Sequence, residues 1–332
     1  MADTFKFRID HHGSLVRPPE LLAARSGDPA LLRAVEDAAI AEAVRRQRRL
    51  SLTVVTDGEF RRADLRSAVV DAVHGFSRHG DRWVADGELK PHRSLVAEDA
   101  GALTALTRIP AKATLPSPAY LASVCYEPGG SWESARELGL ALAAIIRDEI
   151  SALIANGVRY VQIDNIGYSG YLAGGSAPSV LSLDESIEID SAAVTLADKP
   201  FNVRIGLCPL NSAQAIDVGV AEKLFGSVPV DRWSLPFDKG TDGEVALLRA
   251  VPASKDVCLG IVDPGVAALE EIDTIMDRMD VAGAIRDLED VAVGPSAGFA
   301  PVAGGPSIGV EDQWRKLIHV ETIARMCWGN EL

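Results

Sequence analysis

The chain has 332 residues, of which 47% are hydrophobic, 24% charged and 5% aromatic, a composition typical of a folded globular protein rather than of a long disordered chain. Acidic residues outnumber basic ones 47 to 33, so the formal net charge is −14, whereas a nucleic-acid partner would require clustered lysine and arginine. The sequence contains no apolar run near the roughly 18 residues that span a bilayer, and MADTFKFRIDHHGS lacks a signal-peptide pattern, so we expect a cytoplasmic protein with neither a nucleic-acid nor a membrane partner.

Short apolar runs alternate with amphipathic stretches along the chain. The predicted strands occupy residues 5–9, 52–56, 111–115, 160–163, 201–207, 232–235, 257–262 and 291–293. The predicted helices cover residues 29–50, 132–156, 184–195, 213–225, 242–250, 265–279 and 313–328. Eight strands separated by helices are typical of an α/β protein of the (β/α)8 TIM barrel type. A doubly wound sheet is the alternative, although no glycine-rich dinucleotide turn follows the first strand.

Residues 66–108 form a longer connection than a strand and a helix require. We therefore predict that a β-hairpin or lid is inserted there, after strand two. The whole chain, residues 1–332, is predicted to be a single barrel domain that contains this insertion.

Polar residues collect where each predicted strand ends, and in a barrel these ends meet on the face that usually carries the active site. The candidate catalytic residues chosen on this basis are His11, His12, Glu59, Asp164, Cys208 and Asp238. Carboxylates crowded in one cleft raise each other's pKa, so one of them could donate a proton with a histidine as its partner.

The motifs HHGSLVRPPEL, VVTDGEFRR, AKATLPSP, NGVRYVQIDN and the terminal CWGNEL occur in this order along the chain. In this order they resemble the catalytic barrel of cobalamin-independent methionine synthase, and most closely its short, single-barrel bacterial relatives. The resemblance covers nearly the whole chain. It implies a (β/α)8 barrel in a family whose full enzymes move a methyl group from a folate to homocysteine.

The resemblance also implies roles for individual residues. Ser14 would hold the carboxylate of an amino-acid-like substrate, and Glu59 and Asp164 would hold its ammonium group. Arg62, Asn165 and Arg204 complete the predicted substrate-binding set.

The family's zinc site is the point at which the resemblance fails. Its enzymes hold zinc with a histidine and a cysteine after strand five, a glutamate after strand six and a cysteine after strand eight. Cys208 matches the first cysteine, but Gly206, Pro236 and Ala297 stand at the other three positions. Gly265 replaces a histidine proton donor after strand seven. Because a catalytic zinc needs about three protein ligands, we predict no zinc site and no cofactor, and we expect no dependence on folate. The alternative is a different divalent ion held by His11 or His12 with Glu59 and Asp164.

Three functions follow from these departures. The first expectation is acid–base chemistry of the lyase, decarboxylase or hydrolase type on a small polar or amino-acid-like substrate. The alternatives are a methyl- or alkyl-transferase that uses a different donor or acceptor, and a non-catalytic small-molecule binder. The sequence favours no oligomeric state, and a homodimer is the commonest oligomer in general.

Overall fold

The computed structural model describes residues 7–174 and 180–329. Its strands are β1 (Val73–His79), β2 (Arg82–Pro91), β3 (Lys112–Pro116), β4 (Tyr160–Asp164), β5 (Arg204–Cys208), β6 (Arg232–Pro236), β7 (Asp256–Val262) and β8 (Val291–Pro295). Strands β3 to β8 form one parallel sheet in chain order, and β1 and β2 form a separate antiparallel pair.

Helices cover the sheet and connect its strands. They are α1 (Pro19–Ala24), α2 (Pro29–Arg49), α3 (Ser67–Val70), α4 (Ala97–Leu106), α5 (Pro118–Cys125), α6 (Ala135–Ala155), α7 (Tyr168–Leu172), α8 (Leu183–Val194), α9 (Val218–Ser227), α10 (Asp242–Ala250), α11 (Ile272–Ile285) and α12 (Val310–Trp328). No helix within the described residues has the length and apolar character needed to cross a membrane.

Two short extended segments fill the space between β8 and β3. The first segment pairs through Ile9 with Val293 of β8, and the second segment pairs through Val55 with Ala111 immediately before β3. The segments are joined to each other because the Ile9 N–H donates to the hydroxyl oxygen of Thr53 at 2.9 Å. The prediction of an α/β fold of the TIM-barrel type is confirmed. Its first two strands are reduced to single bridges in the described residues, and residues 5 and 6 lie outside them.

Two predicted helices begin about five or more residues later than expected. Helix α9 starts at Val218, where the Asp217 side chain accepts from the Val220 N–H and caps the helix. Helix α11 starts at Ile272 rather than at residue 265. The apolar spacing before each helix belongs to a loop.

A β-hairpin is present inside the segment predicted to be an insertion. Strands β1 and β2 pair from Val73 with Pro91 to His79 with Arg82, and a bulge interrupts the register near Gly75. Gly75 has a φ of +99°, and a Cβ there would lie 2.5 Å from the Glu88 carbonyl oxygen, so this position requires glycine. The hairpin packs against α5 and α6.

The interior of the barrel contains buried charges as well as apolar side chains. The Lys112 ammonium group donates to Asp10 Oδ1 and to the His11 carbonyl, each at 2.7 Å, and lies 4.5 Å from the centre of the Tyr160 ring. The Arg232 guanidinium lies 5.7 Å from the same ring. These contacts connect the first segment to β3, β4 and β6.

Candidate functional site

The cleft with the largest share of the predicted site residues, hereafter the main cleft, lies at the carboxyl ends of the strands, where a barrel usually carries its active site. It has a volume of about 410 Å³. Its lining includes five of the predicted site residues, His12, Ser14, Glu59, Asp164 and Cys208.

Glu59 is held in an uncommon backbone conformation at the edge of this cleft. Its φ is +57°, and its N–H donates to Asp57 Oδ1 at 2.9 Å. Its side chain accepts from the Thr114 hydroxyl at 2.7 Å and lies 3.8 Å from Arg62. Non-glycine residues in this conformation are strained and concentrate at functional sites. The fold therefore fixes the direction of this carboxylate.

Asp164 is the last residue of β4, and its carboxylate lies beneath the cleft. Oδ1 accepts from the Gln162 side-chain amide at 2.7 Å. Burial, followed by the negative charge of Glu59, raises the pKa of Asp164 to about 7. This direction agrees with the expectation for crowded carboxylates.

His12 and Cys208 lie beside Asp164. The nearest ligand atoms of the three side chains are all within 4.8 Å of one another. Burial, with a smaller effect from the Lys112 charge, lowers the pKa of His12 to about 3. Burial, and then the Asp164 charge, raises the pKa of the Cys208 thiol. A neutral imidazole and a neutral thiol therefore lie beside the Asp164 side chain at neutral pH.

A second compartment of about 550 Å³ adjoins the main cleft and contains Asp238. The Lys239 ammonium group lies 2.7 Å from an oxygen of Asp263 and 2.9 Å from one of Asp238, and these hydrogen bonds raise the pKa of Lys239. The two compartments share Asn211, Gly298 and Pro301. Asp238 thus lies near the main cleft but in a different part of the site.

His11 and Asn165 are next to cleft residues in the chain but do not line either compartment in the described structure. His11 is buried, and its Nε2 lies 3.0 Å from the side-chain oxygen of Gln47. The Asn165 amide donates to Asp190 at 2.8 Å, and its oxygen accepts from the Gly167 N–H. Both side chains serve the surrounding structure here.

Arg62 and Arg204 also lie outside the lining of both compartments in the described residues. Arg62 donates to the Thr114 hydroxyl and carbonyl at 3.0 and 2.8 Å. Arg204 begins β5 and forms a 2.5 Å ion pair with Asp256, whereas Cys208 ends the same strand. At about 3.3 Å per residue, Arg204 lies about 13 Å from the cleft end of the strand.

The sequence reasoning missed Asp64, Arg66 and Tyr120, which also line the main cleft. Arg66 forms a 2.5 Å ion pair with Asp64 at the start of the insertion. Tyr120 belongs to α5 and follows the Pro-Ser-Pro sequence at the end of β3. A search extended one helical turn beyond each strand end would have found the tyrosine.

The donor set of the family's zinc centre does not fit this chain. A Cβ built on Gly206 would lie 2.7 Å from the Tyr160 hydroxyl, so the buried tyrosine occupies the space that a side chain at this position would need. Pro236 and Ala297 provide no side-chain donor either. Cys208 is the one residue that matches this donor set.

The sequence profile described as "Cobalamin-independent synthase, Catalytic domain" matches residues 24–304 of this chain. Two relatives are the uncharacterized proteins YxjH and YxjG of Bacillus subtilis. Each is 27% identical, over 366 and 363 aligned positions respectively, and each alignment covers 97% of this chain and 95% of the relative.

Two solved structures have closely similar folds. A Listeria monocytogenes protein assigned as a vitamin-B12 independent methionine synthase is 27% identical, with a TM-score of 0.80 and 98% of both chains covered. A B12-independent methionine synthase from Shewanella, in complex with selenomethionine, is 19% identical, with a TM-score of 0.78 and 97% of both chains covered. The resemblance inferred from the motifs is confirmed, and the chain belongs to the family of cobalamin-independent synthase catalytic domains.

Proposed function

We propose that this protein transfers a methyl or other small alkyl group to or from the sulfur of an amino-acid-like substrate. We also propose that it uses a donor or acceptor other than methyltetrahydrofolate and homocysteine. The observation that carries the proposal is the convergence of Ser14, Glu59 and Asp164 in one cleft with Cys208. Membership of the family supports group transfer as the reaction class.

The cleft has the chemistry needed to hold both ends of an amino acid. Glu59 and Asp164 approach from the second segment and from β4, and paired carboxylates make a favourable site for an ammonium group. The Ser14 hydroxyl can donate to the substrate carboxylate. The side chain of the amino acid would then extend into the remaining volume.

The altered donor set supports a change of reaction partner. In the family, zinc generates the thiolate that attacks methyltetrahydrofolate, which is a poor methyl donor. Gly206, Pro236 and Ala297 cannot hold that zinc, and Gly265 cannot replace the histidine that donates a proton. A more reactive donor would not require both of these groups.

Ligand binding tests the pocket. Calorimetry with methionine, selenomethionine and homocysteine should show binding that E59Q weakens about 10–100-fold, because a neutral amide replaces the charged acceptor of the ammonium group. The control is E311Q, since Glu311 is exposed and does not belong to the cleft lining. Equal affinity in wild type and E59Q would contradict the pocket assignment.

Transfer is tested separately with isotope-labelled methyl donors of several classes, including a sulfonium, a quaternary ammonium compound and methyltetrahydrofolate. We expect label to reach sulfur from a non-folate donor, as observed by NMR. Methionine formed from methyltetrahydrofolate and homocysteine at about 1 per second or faster would contradict the proposed change of partner. Release of ammonia or carbon dioxide from the amino acid would instead identify acid–base chemistry of the lyase or decarboxylase type.

A further inference from the structure

Three side chains with different donor atoms meet at the floor of the main cleft. Asp164 and Cys208 are direct register partners at the ends of β4 and β5, so the fold places them side by side. The Asn165 N–H donates to the Cys208 carbonyl at 2.9 Å and continues this pairing beyond the strands. His12 approaches from the loop after the first segment, and the ligand atoms of the three side chains lie within 4.8 Å of one another.

A fully buried glutamine holds two of these elements in place. The Gln162 amide donates to Asp164 Oδ1 at 2.7 Å and to the His12 carbonyl at 3.2 Å. Metal-binding histidines and carboxylates are usually oriented by partners of this kind, which fix the ring and the carboxylate toward the ion.

We propose that His12, Asp164 and Cys208 bind one divalent transition-metal ion, with zinc as the ion that this donor set fits best. Nitrogen, oxygen and sulfur donors are those that zinc takes in proteins. Binding of the ion would release the proton of the Cys208 thiol, and the resulting thiolate and the Asp164 carboxylate would balance the charge of the ion. The neutral imidazole of His12 adds the third ligand. Zinc–ligand bonds of about 2.0–2.3 Å require the side chains to close together by about 1 Å.

This site differs from the family's zinc centre in every ligand except Cys208. The two other donors come from the first segment and from β4, not from the positions of Gly206, Pro236 and Ala297. Three protein ligands leave one coordination position open, as in catalytic zinc sites. All three residues line the main cleft, so that position faces the space proposed for substrate. The inference does not depend on the proposed transfer reaction, and with Asp164 bound to the ion Glu59 alone would hold the ammonium group of the substrate.

Cobalt provides a direct spectroscopic test on the whole chain, purified without a histidine tag and stripped of metal. Titration with Co²⁺ should give one ion per chain, a near-ultraviolet thiolate-to-cobalt band and visible bands typical of four-coordinate cobalt. Stoichiometric Zn²⁺ should displace the cobalt. C208S should lose the thiolate band, and H12A and D164N should weaken binding by at least about 10–100-fold.

The matched control is C258S, which removes another buried cysteine, one that lies on β7 and outside the cleft lining. It should keep the wild-type cobalt spectrum. X-ray absorption of the zinc form should show one sulfur ligand, whereas the family's set would show two. A wild-type chain that binds no Co²⁺ overturns the proposal without reference to any variant. A thiolate band that persists in C208S, or H12A and D164N variants with wild-type affinity, also overturns it.

Discussion

Replacing Lys112 with methionine removes a cation that lies entirely inside the barrel. The Lys112 side chain has no solvent exposure, and the Asp10 side chain with which it pairs is 1% exposed. Methionine has a similar length, so the change removes mainly the charge and its two hydrogen bonds, to Asp10 and to the His11 carbonyl. The variant therefore tests how strongly the buried pair connects the first segment to β3.

The expected loss of stability follows from the burial of both partners. Removing one member of a buried ion pair typically costs about 3–5 kcal/mol, because the remaining charge is left without compensation. For K112M we expect about 4 kcal/mol, or about a 1000-fold change in the unfolding equilibrium. The double variant D10N/K112M should be more stable than K112M, since asparagine removes a buried charge that has lost its hydrogen-bonded cation and keeps only the charge of Arg232.

Urea denaturation followed by circular dichroism measures these differences. The control is K223M, because Lys223 pairs with Asp184 on the surface, where both side chains are about half exposed or more. An exposed pair contributes about 0–1 kcal/mol. A loss in K112M no larger than that in K223M would refute the reasoning, as would a double variant less stable than K112M.

Three further substitutions test the packing and the hydrogen bonds that surround the main cleft. G206A should lower the free energy of unfolding by about 1–3 kcal/mol through overpacking against Tyr160, and G206A/Y160F should recover part of this loss. Equal stability of wild type and G206A in thermal denaturation would contradict the packing argument. D190N should lower the free energy of unfolding by about 2 kcal/mol, because one carboxylate oxygen that accepts hydrogen bonds becomes an amide donor in a fully buried position. An unchanged midpoint in urea denaturation would show that the hydrogen bonds around Asp190 rearrange freely. R17K should weaken methionine binding several-fold, since Arg17 donates to the Glu59 carbonyl at 2.8 Å and fixes the backbone of that residue. Unchanged affinity in calorimetry would show that Arg17 contributes to the stability of the fold and not to ligand binding.

The barrel could be predicted from the sequence because its strands are short, apolar and evenly separated by amphipathic helices. The first two strands could not be foreseen as single bridges. The Thr53 side chain takes one of the hydrogen bonds that a regular strand would give to the backbone, and this depends on tertiary packing. The starts of α9 and α11 were misplaced because apolar periodicity does not distinguish a helix from the loop that leads into it.

The site was only partly predictable, for a related physical reason. Strand ends identify a region of the barrel, but neighbouring residues in an extended chain point in opposite directions. His12 faces the cleft while His11 contacts Gln47, and Asp164 faces it while Asn165 contacts Asp190. The direction of each side chain is set by its pairing across the barrel, which no local pattern contains.

The contact between Gly206 and Tyr160 also limits how this chain could change over evolutionary time. A histidine gained at position 206 would collide with the buried ring, while loss of the ring first would leave a cavity costing about 3–5 kcal/mol beside Lys112 and Arg232. Either order passes through a destabilised intermediate. Return of the family's histidine at position 206 therefore requires a coordinated change at Tyr160, so lineages that share this pair should retain or lose both residues together.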